Sequence, residues 1–147
     1  ENGFDVRACG ILEKDGKILV SNEADGTMTL SGGAVKTGET TAETIVREFK
    51  EESGLDVEVT KLIAVIENFL KYKGLDYHQL IFVYGLNLKN NPSNLPTLMR
   101  EEKMFTKWVD VTSLNSINFK PSVINEILLS YLKNDNHDIL HIVNRQN

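Results

Sequence analysis

Along the first third of the chain, apolar residues come in short runs that polar, turn-forming residues interrupt. Residues 4–12 suit a strand, Lys14-Asp15-Gly16-Lys17 is turn chemistry of the Asp-Gly type, and residues 17–21 resume the strand pattern, which predicts a hairpin. Residues 22–27 are polar and turn-rich, and 28–31 read as a short strand feeding into Gly32-Gly33. The period then changes. Ala42, Ile45, Val46 and Phe49 recur at the i, i+3, i+4, i+7 spacing of a helix whose apolar stripe is predicted to point into a core. Thr40 precedes them as an N-cap with Glu43 three residues on, a capping box, and Gly54 supplies a left-handed stop.

Beyond the helix, Leu55, Val57 and Val59 alternate with polar residues in the period of a half-buried strand. Residues 62–69 continue apolar, and 71–76, with Gly74, read as a connection. Residues 80–86 form a continuous apolar run, as a strand covered on both faces requires, and are placed at the centre of the sheet. Residues 90–96 are a loop by composition and the one stretch expected to be mobile. Residues 105–111, around Trp108, read as the last strand. Pro121 is read as opening a second helix at its first position, with Ile124, Ile127, Leu128, Tyr131 and Leu132 as the stripe that docks on the sheet.

The first helix also carries charge in a pattern. Glu48, Glu51 and Glu52 stand at i, i+3 and i+4, so they are surface neighbours, and three crowded carboxylates are costly unless protons or a cation neutralise them. Oxygen donors alone are what hard divalent cations prefer, Mg²⁺ above all where phosphates complete its shell. A solvated acidic face is the plain alternative. The wider spacing separates the two readings: Gly33, Glu39, Arg47-Glu48, apolar Phe49, Glu51-Glu52, Gly54 and apolar Leu55 occupy fixed intervals. Average residue usage would produce that arrangement on the order of 10⁻⁷ times in such a chain, so coincidence is not its origin.

Residues 33–55 resemble the Nudix box, G-x5-E-x7-R-E-U-x-E-E-x-G-U with U apolar, at every specified position. The resemblance implies an α/β fold, the Nudix-type α/β/α sandwich with a mixed β-sheet between helices, as a single domain over residues 1–147. It also implies a hydrolase that uses Mg²⁺ or Mn²⁺ to cleave the diphosphate link of a nucleoside diphosphate joined to another group. Carried over residue by residue, Glu48, Glu51 and Glu52 become metal ligands. Arg47 orients a glutamate or holds the loop, Glu39 is an accessory or loop-fixing carboxylate, and Gly33 and Gly54 permit the turns. The resemblance further implies a glutamate from the loop ahead of the aromatic strand, for which Glu102 is suitably placed; Glu52 and Glu102 both stand as candidates for the general base. Gly33, Arg7 and Glu67 are expected toward the substrate, Arg7 having a surface ion pair as its alternative. His78 is near Glu67 in this reading, but Gln79 follows it where some relatives have Glu, so no metal role is assigned there.

Composition narrows the context. At 147 residues the chain is long enough to bury about 68–70% of its unfolded surface. A net charge of −5, a pI near 5.2 and no clustered Lys/Arg stripe argue against general nucleic-acid binding and leave a small nucleotide as the expected partner, with a homodimer left open. The single cysteine, Cys9, excludes an internal disulfide and lies in an apolar strand, which suits a packing role and a cytoplasmic protein. No apolar run reaches the roughly 18 residues of a membrane span, and no leader pattern is read at the start. The three histidines lack the spacing of a zinc site. A phosphate-binding P-loop is excluded, because Glu39-Thr40 follow Gly38 where a lysine must meet the phosphates. A Nudix-like domain that senses a nucleotide without cutting it is the remaining rival, and the full set of box glutamates disfavours it.

Overall fold

The structure, a computed structural model, describes residues 3–89, 99–101, 104–133 and 138–145. Its strands are β1 (Gly3–Ile11), β2 (Glu13–Lys14), β3 (Lys17–Asn22), β4 (Met28–Leu30), β5 (Gly32–Ala34), β6 (Val57–Tyr72), β7 (Leu75–Leu88), β8 (Met99–Glu101), β9 (Met104–Asp110) and β10 (Leu140–Arg145). Two helices join them, α1 (Thr41–Ser53) and α2 (Ile124–Leu132), with a short 3-10 turn at Val111–Ser116.

The larger sheet runs β10-β6-β7-β1-β5 and is mixed: β1 is parallel to β7 and β10 to β6, while β6–β7 and β1–β5 are antiparallel. The smaller sheet runs β2-β3-β9-β8, with β4 beside β3. Alternation along the strands sends side chains to two separate cores. On one face, Ile45 and Phe49 of α1 pack with Ala8, Leu12, Leu19 and Leu86. On the other, Ile124, Ile127 and Leu128 of α2 pack with Ile66, Ile81 and Val83. The sheet thus lies between two helices, the α/β arrangement expected, and the apolar run 80–86 is in its central strand, β7.

Two of the hairpins rest on paired left-handed residues. Asp15 (φ 52°) and Gly16 (φ 76°) make the first, Lys73 (φ 52°) and Gly74 (φ 80°) the second, the signature of a two-residue turn matched to strand twist. The second turn is tighter than the connection expected over 71–76. The strands run right up to it, and Lys71 and Asp76 pair across it at 2.6 Å.

Four expectations differ from the structure. Val46 is 43% exposed, and the buried face of α1 is Thr44, Ile45, Phe49, Glu52 and Ser53. The helix is rolled inward on three polar residues because each has a hydrogen-bond partner there, Glu39 for Thr44, Ser31 for Glu52 and the Phe49 carbonyl for Ser53. The second helix begins at Ile124, and Pro121 instead sits in the preceding turn, its carbonyl accepting from the Ile124 N–H. Residues 105–111 are not the last strand: β10 follows, an edge strand whose half-buried and exposed residues alternate too weakly to stand out in the sequence. The turn at 71–76 is the fourth. The loop 90–96 lies outside the described residues.

The inward roll of α1 predicts opposite costs for two neighbouring apolar residues. Ile45→Ala should lower unfolding free energy by about 2–5 kcal/mol, and Val46→Ala by less than about 1 kcal/mol, in urea denaturation. Equal losses would return Val46 to the core.

Candidate functional site

Short-range chemistry sets where the helix begins and ends. The Thr40 hydroxyl accepts from the Glu43 N–H at 3.1 Å while the Glu43 carboxylate accepts from the Thr40 N–H at 2.8 Å, and Gly54, at φ 72°, closes the last turn on the Lys50 carbonyl. The loop ahead of the helix is tied to it by Glu39. Its carboxylate takes two hydrogen bonds from Arg47, from Nε at 2.6 Å and Nη2 at 2.9 Å, with a third from the Thr44 hydroxyl at 2.7 Å and a fourth from the Lys36 N–H at 3.1 Å. These donors, Arg47 first, hold the Glu39 carboxyl at a pKa of about 2. Arg47 Nη2 also reaches the Ala34 carbonyl of β5 at 3.3 Å, so one guanidinium joins helix, loop and sheet.

The other terminal nitrogen, Nη1, faces Glu48 at 3.2 Å and Glu51 at 3.3 Å. Glu48 holds protons more tightly than an ordinary glutamate, because burial disfavours its charge and it shares a hydrogen bond with Glu51. Its carboxylate lies against Gly33, where any side chain at residue 33 would overlap it. Glu51 is the outer member, its side chain 54% exposed. Glu52 is the buried member. It is 3% exposed and accepts from the Ser31 hydroxyl at 2.6 Å.

Glu48 and Glu51 therefore share a hydrogen bond, while Glu52, one helical turn on from Glu48, is held inside by the residue that leads into Gly32-Gly33. Among the described residues no three His, Cys, Asp or Glu side chains are gathered closely enough to hold a metal ion. The donors present still fit a hard cation. Two adjacent carboxylates, one of them buried enough to favour neutralisation, are a sufficient protein share for Mg²⁺, which keeps waters and takes substrate phosphates in place of a protein cage.

A cavity of about 310 Å³ opens across the Gly32-Gly33 strand from this group, its lining including Ile124 of α2 and none of the box glutamates. Gly32 and Gly33 form part of its wall, Arg7 and Cys9 of β1 another part, and Asn68 and Gln79 a third. Gly33 thus borders both the cavity and Glu48. Arg7 lines the cavity and also pairs with Asp5 at 3.4 Å. Glu67 is elsewhere. Strand alternation puts it on the face opposite Asn68, outside the lining of this cavity, where it bonds His141 at 2.6 Å. His78 shares that face, the one on which α1 packs, and is stacked on Phe69 with ring centroids 4.9 Å apart. Glu102 and His137 lie outside the described residues.

Ser31, Thr44, Asn68 and Gln79 were not foreseen as parts of the site. Ser31 had a weak signal in its place beside the glycine pair. The others meet partners through folding, and no spacing announces them.

A family profile described as NUDIX domain matches residues 2–128. Over 64 residues the chain is 48% identical to an ADP-ribose pyrophosphatase of Methanocaldococcus jannaschii, a stretch covering 41% of this chain and 38% of that protein. The chain therefore spans well under half the length of the curated relatives it matches at the head of the comparison. Among solved structures, a NUDIX hydrolase from Nitrosomonas europaea superposes with a TM-score of 0.70 at 22% identity, covering 97% of this chain and 79% of that one. An ADP-ribose pyrophosphatase from Streptococcus suis does so with a TM-score of 0.58 at 16% identity, covering 94% and 98%. At such identities the structural likeness speaks for the fold alone.

The Glu39–Arg47 clamp has a pH signature. The Glu39 pKa falls from 4.5 to about 2 on folding, so its contribution to stability is complete above 4.5 and is lost as pH falls toward 2. Urea denaturation of the wild type and Glu39→Gln should show a constant gap above pH 5 that closes below it; a gap that persists at pH 2 would detach the clamp from charge.

Proposed function

This chain belongs to the Nudix family, and we propose that it is a metal-dependent hydrolase cutting the diphosphate bridge of a nucleoside diphosphate linked to another group, releasing a nucleoside monophosphate. The observation that carries this reading is Glu48, paired with Glu51 and set against Gly33, whose backbone borders the cavity. A carboxylate pair there has its use where a phosphate-bearing ligand approaches a backbone with no side chain in the way.

Glu48 and Glu51, with Glu52 behind them, would hold Mg²⁺ or Mn²⁺. Such an ion supplies charge neutralisation on the bridging phosphates and acidifies bound water. The chain does the rest by positioning. Arg47 keeps the loop and the glutamate-bearing helix face in one body, and Gly33 lets the diphosphate come close. Glu52, steadied by the Ser31 hydroxyl, and Glu102 are the two candidates to take the proton from the attacking water. Phosphoryl transfer requires little beyond such positioning and charge stabilisation. The name of the Methanocaldococcus jannaschii relative makes ADP-ribose the first substrate to test.

Incubation with ADP-ribose, other nucleotide sugars and nucleoside triphosphates, with Mg²⁺, Mn²⁺ or chelator, should release nucleoside monophosphate only when metal is present. Glu48→Gln should raise the metal concentration needed for half-maximal rate, and Glu52→Gln should lower kcat by about 10²–10⁴-fold if it is the base. Nucleotide binding with no product under any metal would instead identify a sensing domain.

A further inference from the structure

Three amides form a row across three adjacent strands, two of them in one wall of the cavity. Asn144 of β10 stands opposite Asn68 of β6, which stands opposite Gln79 of β7, so all three project from the same face of the sheet. Asn144 Nδ2 donates to Asn68 Oδ1 at 2.8 Å, and Asn68 Nδ2 donates to Gln79 Oε1 at 3.3 Å. Asn68, only 2% exposed, is held from both sides. The row therefore has a direction. Each donation fixes the next carbonyl, and the last amide, Gln79, is presented with Nε2 turned away from Asn68. Gln79 and Asn68 both line the cavity, beside the apolar side chains of Leu70 and Ile81.

The strand order β7-β1-β5 sets Gln79 two strands from Gly33, and the register, Gln79 beside Asp5 and Gly33 beside Ala8, sets it three residues further along, so the two are roughly 14 Å apart in the lining of one cavity, with Glu48 on the other side of the sheet edge. A nucleotide laid along that cavity with its phosphates toward Gly33 brings its base to Gln79. An amide offers one donor group and one acceptor side by side, and Oε1 keeps a second lone pair after accepting from Asn68. That edge matches adenine, whose ring nitrogen accepts and whose exocyclic amine donates, the bidentate pairing that Gln makes with this base. Guanine places two acceptors, O6 and N7, on the corresponding edge, and one of them would face Oε1.

We infer that the Asn144–Asn68–Gln79 row is the base-reading element of the cavity and selects an adenine nucleotide, Gln79 touching the base and Asn144 acting as a positioning residue through Asn68. The inference rests on the reading of the cavity as the nucleotide site.

Calorimetric titration of the metal-free protein with AMP and with GMP tests it without any turnover. The wild type should prefer AMP by about tenfold or more, Gln79→Leu should lose that preference by weakening AMP about tenfold while leaving GMP nearly unchanged, and Asn144→Leu, whose side chain does not line the cavity, should shift the AMP-to-GMP ratio the same way by less, where a merely structural role would weaken both nucleotides alike. Equal affinities in the wild type, or a parallel fall or no change for both nucleotides in Gln79→Leu, would overturn the inference. Selective AMP binding that responds to these variants, in a protein that hydrolyses no nucleotide, would support the row and strike only the hydrolase reading.

Discussion

One guanidinium holds the functional end of this molecule together. Arg47 meets Glu39 through two parallel hydrogen bonds, a geometry that fixes direction as well as distance, and reaches the Ala34 carbonyl with a nitrogen it already uses for Glu39. The loop between β5 and α1 is thereby closed onto the helix it precedes. Glu39 is saturated by this duty, with Thr44 and Lys36 adding their own hydrogen bonds, and it has no oxygen left without a donor. Its place in the box is explained by architecture.

The same arginine shapes the electrostatics next to it. In an acidic chain, Glu48 and Glu51 would repel, and Nη1 between them offsets part of that cost while leaving Glu48 inclined to keep a proton. Glu52 is treated separately. It is taken inside, where a hydroxyl from the strand leading to the glycine pair receives it. Three carboxylates within one turn of a helix thus live in three environments, half-shielded, exposed and buried, although the sequence spacing makes them equivalent.

Legibility followed distance along the chain. The capping box, the αL stop at Gly54 and the Asp15-Gly16 turn depend on residues within a few positions of each other, and a local pattern is enough to read them. The central strand was legible because its apolar run has only one good environment. The inward face of α1 was not: an apolar stripe is drawn on the assumption that polar residues face water, and Thr44 and Glu52 break it because partners in the preceding loop and in residue 31 satisfy them. The amide row joins residues 68, 79 and 144, and β10 pairs with a strand far earlier in the chain. Such pairings are decided by topology, which no window of sequence contains.

Cys9 lies in β1 within the core beneath α2, 7% exposed at the wall of the cavity, and burial pushes its thiol up to about 12. A thiol so placed is almost wholly protonated at neutral pH, and the thiolate is the reactive form. With no other cysteine in the chain, slow alkylation at this one position is a built-in gauge of how open the cavity it borders stands.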